Sequence, residues 1–473
     1  MNRLRTLLLV IPALILAVSC GDDFTVLAPQ SERNVENFYQ SDTDFEVAIN
    51  GAYAVLSSND LYGRNLMLLH EMRSDNTLND GGATGLAESL ENISRFIELE
   101  DASELERTWA GSYKVISSLN TILSRIDNVD FDNPALDDRI KGEALFIRSL
   151  VYYNLAVTFG NIPLQLEEVT SPNVEINQVS ADVIYDQIAV DLEEAEGLLP
   201  ASYPSSSVGR ASSGAAATLL GLVHLTNGND GQAETALRRV VSSQEYELVP
   251  DYTDIWGPSN ENNIESIFEI QYKSGGQGTG SGFTEYYSPD LSISGGVGGG
   301  NVPQVPTDDL ITSYDQPADS RLETIGTDLE GDPYLNKYDA TQAIAFDSDV
   351  NFIVFRYADV LLLLAEAIGE GAEAYDLIDE VRSRSGLTTS SSTLTGSFEE
   401  ILLNERRREF VGENKRWPDL LRFGVAQQVM ADYLSDEGYE PENIRLLYPI
   451  PQREIDTAPE LTQNEIPDRP KPN

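Results

Sequence analysis

Few residues of this chain have the types and spacings that break bonds. Its two histidines, His70 and His224, lie far apart in the sequence and lack the spacing of metal ligands. The sequence contains no nucleophilic-serine motif, no phosphate-binding glycine loop and no zinc-protease motif. Carboxylates are abundant, but an excess of acid also brings carboxylates together by chance. We therefore expect a protein that is not an enzyme, with no cofactor and no bound metal.

A polar, glycine-rich stretch from Asp75 to Gly82 contains oxygens of the kind that bind calcium. In an EF-hand loop, oxygen ligands recur at fixed positions and a glutamate closes the loop. Here Thr77 occupies the third position, and no glutamate stands at the closing position. The pattern therefore predicts an ordinary polar loop rather than a metal site.

Cys20 is the only cysteine, so it cannot form an internal disulfide bond. A basic start and an apolar run from Leu7 to Val18 precede it, which is the pattern of a signal peptide. The run is too short to span a bilayer comfortably. The residues Ala-Val-Ser-Cys that end at Cys20 resemble a lipobox, which predicts lipidation of this cysteine after cleavage. The alternatives are an ordinary signal peptide with a chance cysteine, or a cytosolic thiol.

The charge balance of the chain is strongly acidic. Its 473 residues include 78 acidic and 31 basic side chains, which give a net charge of -47. Such a surface repels phosphate backbones, so we expect no binding of nucleic acid. It could attract cations or basic ligands. Because the acidic residues are spread along the whole chain, a solubility adaptation, for example to high salt, is the preferred interpretation.

Apolar residues recur at helical spacing through most of the chain. In residues 211–249, small and bulky residues stand at the offsets of a tetratricopeptide unit, in which two antiparallel helices pack through small positions such as Gly221 and Ala233. His224 takes a place usually held by tyrosine, so we expect it to pack in the core. The predicted fold class is mainly α: a tetratricopeptide-like helical superhelix with a loop-rich C-terminal portion.

A charged helix pair is predicted in residues 398–424. The apolar face of its first helix starts at Phe398 and continues into charged residues such as Glu409. Charges in such a place are costly unless they are paired, so we expect a buried ion-pair network. Gly412 and Asn414 can both adopt the left-handed backbone that ends a helix, and a second helix should follow them.

The residue order of this segment resembles the C-terminal signature of the SusD/RagB family of bacterial surface lipoproteins. The matching residues are Glu405, Arg406, Glu409, Glu413, Arg416, Trp417, Asp419, Leu420, Arg422 and Gly424. Phe410 replaces a leucine of the signature, and Asn414 replaces a glycine. Other stretches that resemble family motifs are residues 141–164, 355–367, 381–387 and 449–464. In that family these segments are structural, so none of their residues is assigned to a ligand.

The resemblance implies a function. Family members resemble lids on TonB-dependent outer-membrane transporters and grip oligosaccharides, or sometimes peptides, before uptake. By this resemblance the protein is expected to be exposed on the cell surface and held in the outer membrane through a lipid on Cys20. It would capture a nutrient, in the first place an oligosaccharide, and hand it to a SusC-like TonB-dependent transporter.

In related proteins the ligand pocket draws on loops after the first helices and on an inserted loop midway along the chain. Sugars need flat aromatic faces and hydrogen-bonding side chains on loops that a rigid scaffold holds. The candidate ligand-binding residues are Arg73, Asp75, Asn76, Asn79, Phe283, Tyr286 and Tyr287. The aromatic residues among them stand in the Gly/Ser-rich segment 274–302, which is expected to be a long loop with exposed aromatic tips. For each residue the alternative is an ordinary loop or core position.

Three regions follow from the resemblance. They are a lipoprotein signal peptide (residues 1–19), a SusD-like N-terminal helical region with tetratricopeptide-like pairs (20–260), and a SusD/RagB C-terminal region with the inserted Gly/Ser-rich loop (261–473). Two other functions remain open. One is a tetratricopeptide scaffold lipoprotein in outer-membrane assembly, and the other is an α-helical glycoside hydrolase.

Overall fold

The computed structural model describes residues 38–79, 86–171, 176–288, 291–297, 304–439 and 444–464. Cys20 and the predicted signal peptide lie outside the described residues. Helices dominate the described part of the chain. In chain order they are α1 Asp42–Leu56, α2 Asn65–His70, α3 Leu86–Ser94, α4 Ser103–Ile126, α5 Pro134–Phe159, α6 Ala181–Leu198, α7 Ser213–Thr226, α8 Asp230–Ser243, α9 Phe283–Tyr287, α10 Leu291–Ser294, α11 Asp308–Ser313, α12 Tyr357–Ile368, α13 Ala372–Arg384, α14 Phe398–Glu409, α15 Arg416–Arg422, α16 Ala426–Asp436 and α17 Gln452–Thr457.

The described strands pair only in antiparallel couples, so no large sheet forms among these residues. The strands are β1 Thr77–Asn79, β2 Ile162–Pro163, β3 Gln178–Val179, β4 Ser266–Ile270, β5 Gln304–Pro306, β6 Ile325–Thr327, β7 Pro333–Leu335 and β8 Phe352–Arg356. The pairs are β1 with β5, β2 with β3, β4 with β8, and β6 with β7. The mainly helical prediction is confirmed.

Helices α5 to α8 pack one against the next along the chain, as antiparallel neighbours do in a helical repeat. A side chain could not replace the hydrogen of Gly221 in α7, because a Cβ atom there would lie 2.5 Å from Cγ of Leu237 in α8. The two helices therefore approach through a small position, as the tetratricopeptide pattern predicts. His224 is buried in α7, so its predicted core position is also confirmed.

One hydrophobic cluster connects both ends of the described chain. It contains Phe45 of α1, Phe159 of α5, Phe352 of β8 and Tyr448, which follows α16. Trp109 is buried in the same cluster, as the sequence predicts. Residues from both sides of the predicted boundary at 260/261 share this core, and the division into two regions stays a prediction.

The predicted helix pair in residues 398–424 is present as α14 and α15. Ser397 caps α14: its hydroxyl accepts a hydrogen bond from the backbone N–H of Glu400, whose carboxylate accepts one from the N–H of Ser397. Between the helices Gly412 and Asn414 have φ angles of +80° and +60°. The chain can turn here because glycine, and asparagine among the other residues, tolerate this left-handed backbone.

The predicted ion-pair network is also present, and we call its densest part the charged centre. Five cations and five carboxylates form it: Arg321, Lys337, Arg356, Arg382 and Arg384 with Glu265, Asp319, Glu405, Glu409 and Glu413. Every one of these side chains is buried. Since the two signs balance, the charges satisfy one another without water.

Candidate functional site

The structure places Arg73, Asp75 and Asn76 inside the protein, each less than 5% exposed. The Arg73 guanidinium lies 3.7 Å from the ring centroid of Tyr448 and 3.0 Å from the carboxylate of Glu98. Its surroundings are therefore aromatic rings and a buried carboxylate.

Asp75 and Asn76 both bind arginines of the C-terminal helices. Asp75 accepts hydrogen bonds of 2.7 and 2.8 Å from Arg416, and Asn76 accepts one of 3.1 Å from Arg407. Burial alone would raise the pKa of Asp75, but Arg416 and Arg407 outweigh it and lower the pKa to about 2. These contacts tie the segment after α2 to α14 and α15.

The Gly/Ser-rich segment differs from its prediction. It contains the short helices α9 and α10, and the predicted exposed aromatic tips are wrong, because Phe283, Tyr286 and Tyr287 of α9 are buried. The aromatic core supplies the reason: the ring of Tyr287 stacks on Tyr338 with centroids 4.8 Å apart, and its hydroxyl donates to the carbonyl of Gly412. Apolar contacts stabilise a helix that the glycines alone would not.

Two of the predicted residues meet at the turn between α14 and α15. Glu71 accepts hydrogen bonds from the backbone of Gly412 and from the side chain of Asn76, and Tyr287 contacts the other side of Gly412. Asn79 lies apart from them in β1, half-buried and opposite Gln304 of β5. Ligand binding by the seven residues stays a prediction, and six of them are buried among protein partners.

A surface groove of about 380 Å³ lies elsewhere, and sequence reasoning did not find it. Its size falls within the range of sites that hold small molecules. The C-terminal half of α1, the loop before α7, the end of β4 and the following turn form its walls. The lining residues are Asn50, Tyr53, Ala54, Ser57, Ser206, Ser207, Val208, Gly209, Arg210, Glu269, Ile270, Gln271, Tyr272, Lys273 and Thr279.

Arg210 organises one wall of the groove. Its guanidinium donates to the side chain of Asn50 at 2.8 Å and pairs with Glu143 at 3.1 Å. Burial raises the pKa of Glu143, and the charges of Arg210 and Arg139 partly offset the rise. The wall is thus held by interactions that leave amide and hydroxyl groups facing the groove.

Glycine permits the close approach of the second wall. Gly209 has a φ angle of +90°, and a Cβ atom there would lie 2.4 Å from Cγ of Gln271. An adjoining hollow of about 120 Å³ shares Val208, Gly209 and Arg210 with the groove and extends it toward Tyr246. The combined concavity is long enough to be lined by both polar side chains and the rings of Tyr53 and Tyr203.

Sequence reasoning had only a weak signal for this groove. Asn50 and Tyr53 belong to a stretch of α1 that resembles a family helix motif, which indicates packing rather than binding. The other walls are loop residues without a motif. Among the described residues no group of histidine, cysteine and carboxylate side chains could hold a metal ion. In that same part of the chain, every helix is too short or too polar to cross a membrane.

Comparison with known proteins finds family models over both ends of the chain. One described as "SusD family" matches residues 334–467, and one described as "Starch-binding associating with outer membrane" matches residues 28–225. The "SusD-like protein P25" of Formosa agariphila is 27% identical over 94% of this chain and 95% of its own length. The "Starch-binding protein SusD" of Bacteroides thetaiotaomicron is 34% identical, over 25% of this chain and 22% of its own.

Solved structures extend the likeness to the fold. A "Laminarin binding SusD-like protein" is 28% identical and superposes with a TM-score of 0.79, covering 90% of this chain and 99% of that one. "Surface glycan-binding protein A from Bacteroides thetaiotaomicron in complex with laminarihexaose" is 24% identical, with a TM-score of 0.77 over 90% of this chain and 100% of that one. The family models, the relatives and the C-terminal signature agree: the chain belongs to the SusD/RagB family.

Proposed function

We propose that this protein binds a neutral oligosaccharide at the cell surface and acts as a binding protein rather than an enzyme. The observation that carries the proposal is the likeness, over nearly the whole chain, to a laminarin-binding SusD-like protein. A starch-binding relative at higher identity over a quarter of the chain supports the same ligand class.

The net charge limits the kind of glycan. With -47 charges on the chain, a polyanionic polysaccharide would be repelled at low ionic strength, whereas an uncharged one would not. The groove offers what an uncharged sugar needs: amides and hydroxyls for hydrogen bonds and tyrosine rings for apolar contact. We therefore place the oligosaccharide in the groove.

The wider setting is proposed from the family. Lipidation of Cys20 would anchor the protein in the outer membrane, and a SusC-like TonB-dependent transporter would receive the glycan while this protein acts as its lid. A peptide ligand is the alternative within the same setting. Co-purification of the full-length, membrane-extracted protein with such a transporter would support this setting, and isolation without one would contradict it.

The binding experiment uses the chain without residues 1–20. Isothermal titration with laminarin and with starch oligosaccharides is expected to show binding, and alginate, an anionic polysaccharide, is expected to show none. Incubation with the bound glycan should release no new reducing ends. Failure to bind any neutral glycan, or turnover of one, would contradict the proposal.

A groove variant and a matched control locate the site. Gln271 lines the groove, and Gln428 lies exposed on α16, where it contacts Asp432 of the same helix. Gln271→Ala is expected to weaken glycan binding by about fivefold, because one amide hydrogen bond is lost. Gln428→Ala is expected to leave binding unchanged. Equal affinities of the two variants would move the site away from the groove.

A further inference from the structure

Phe346 is an exposed aromatic residue on a strained backbone. Its φ angle is +56°, a region that bulky residues rarely enter, and 37% of its surface is exposed. The other aromatic residue with a positive φ in the described chain, Phe96, is buried. Burial therefore explains the conformation at Phe96 but does not explain it at Phe346.

The backbone of Phe346 is held from below by a buried carboxylate. Glu285 of α9 accepts a hydrogen bond of 2.9 Å from the N–H of Phe346 and another from the side chain of Gln342. Since Glu285 is buried, this contact competes little with water. The carboxylate fixes the strained residue at a stated height above α9.

The following residues are anchored as firmly. Asp347 accepts hydrogen bonds of 2.9 and 2.8 Å from the backbone of Gly275 and Gly276. Ser348 and Ser281 exchange two backbone hydrogen bonds of 3.0 Å. The exposed ring therefore stands on a rigid support rather than on a loose loop.

The ring itself is backed and not covered. Tyr286 packs behind it with centroids 5.6 Å apart, and Gly282 leaves it room, because a Cβ atom there would lie 2.9 Å from the ring. Its neighbour Ile344 is also exposed. Burial raises the pKa of the Tyr286 hydroxyl, and the nearby charge of Arg64 partly offsets this. An apolar face and a cation thus lie side by side.

The same turn contacts both Phe346 and the groove. Lys273 and Thr279 line the groove, while Gly275, Gly276 and Gly282 of that turn contact the segment around Phe346. A glycan longer than the groove would continue across this turn.

We propose that Phe346 is a stacking residue for a pyranose ring of the bound glycan, and that Glu285 is its positioning residue. The proposal rests on the proposed function and adds a site to it. A sugar ring has one flat apolar face bordered by hydroxyls, so it fits an exposed phenyl face with a guanidinium beside it. Backbone strain that the surrounding contacts maintain is found where a side chain must be presented in one fixed direction.

The test compares Phe346 variants by titration with laminarihexaose. Phe346→Ala is expected to weaken binding by about tenfold without lowering the melting temperature, and Phe346→Trp to preserve binding. Ile264→Ala, at another exposed apolar residue, serves as the control and is expected to change nothing. If Phe346→Ala binds like the wild type, this inference is wrong although the function stands. If the wild type binds no glycan, both are wrong.

A double-mutant cycle tests the part played by Glu285. Glu285→Gln is expected to weaken laminarihexaose binding by a few-fold, because an amide holds the N–H of Phe346 less strongly than a carboxylate does. In the Phe346→Ala background the same change is expected to have no further effect on binding. Additive losses would show that Glu285 acts on the glycan independently and would overturn its role as a positioning residue.

Discussion

The charged centre and the groove are both rich in polar side chains, yet they treat them in opposite ways. In the charged centre, Arg356 donates to Glu265, Glu409 and Glu413 and is 1% exposed. In the groove, Gln271 shares only neutral amide contacts with its neighbours and remains exposed. Polar residues whose partners are all internal build the frame, whereas those left facing solvent are free to meet a ligand. Residue type alone does not distinguish the two.

The largest effect that separates the regions is expected at Arg356. Arg356→Met would leave three buried carboxylates without their cation, which costs about 3–5 kcal/mol of unfolding free energy. Arg238→Met is the control, because Arg238 pairs with Glu373 on the surface and such pairs contribute about 0–1 kcal/mol. Urea unfolding measures both. Similar losses would contradict the distinction.

The two phenylalanines with positive φ give the second comparison. Phe96 packs against Trp417 at 5.5 Å and under the Arg73 guanidinium at 4.3 Å, so Phe96→Gly is expected to lower the unfolding free energy by about 3 kcal/mol. Phe346→Gly is expected to leave it equal or higher, because glycine relieves the strained backbone where little burial is lost. Thermal unfolding of the two variants checks this, and a large loss at Phe346 would show that its ring serves stability.

A smaller effect is expected at the turn beside the charged centre. Gly412 and Gly424 both have positive φ, but a Cβ atom would lie 3.0 Å from Leu335 at Gly412 and meets nothing within 4 Å at Gly424. Alanine at either position costs about 1 kcal/mol for the backbone. Gly412→Ala is expected to cost more than Gly424→Ala by about 1 kcal/mol, because Leu335 must move. Equal values from urea unfolding would show that the turn adapts freely.

The smallest effect is a pH dependence that sets buried carboxyls against paired ones. Burial raises the pKa of Glu71 and of Asp339 to about 7, so their contribution to stability is present below about pH 4 and is lost as the pH rises through 7. For Asp75 and Asp359 burial would raise the pKa, but the neighbouring cations lower it to about 2, so their contribution is present above about pH 4 and is lost below.

The unfolding free energy should therefore rise from pH 8 to pH 5 and fall below pH 3. Denaturant unfolding at these values measures it. Asp339→Asn should flatten the change between pH 8 and pH 5, and it should leave the acid side unchanged. A protein most stable at pH 8 would contradict this assignment.

The sequence predicted the frame better than it predicted the site. Helical periodicity and the family signature located α14, α15 and the left-handed residues Gly412 and Asn414, because those features depend on neighbours in the chain. The burial of Tyr287 depends on Tyr338, and the groove depends on Gly209 approaching Gln271. Such contacts join residues far apart in the sequence, so local patterns do not carry them.

The bond between Glu71 and the turn at 412–414 has a consequence for the order of folding. Glu71 accepts from the backbone of Gly412 and Asn414, residues that are synthesised near the end of the chain. The segment after α2 therefore cannot reach its final packing while the chain is still being made. The nascent protein must wait, partly open, until its last quarter is complete, and contacts of such wide sequence separation make the closing step slow.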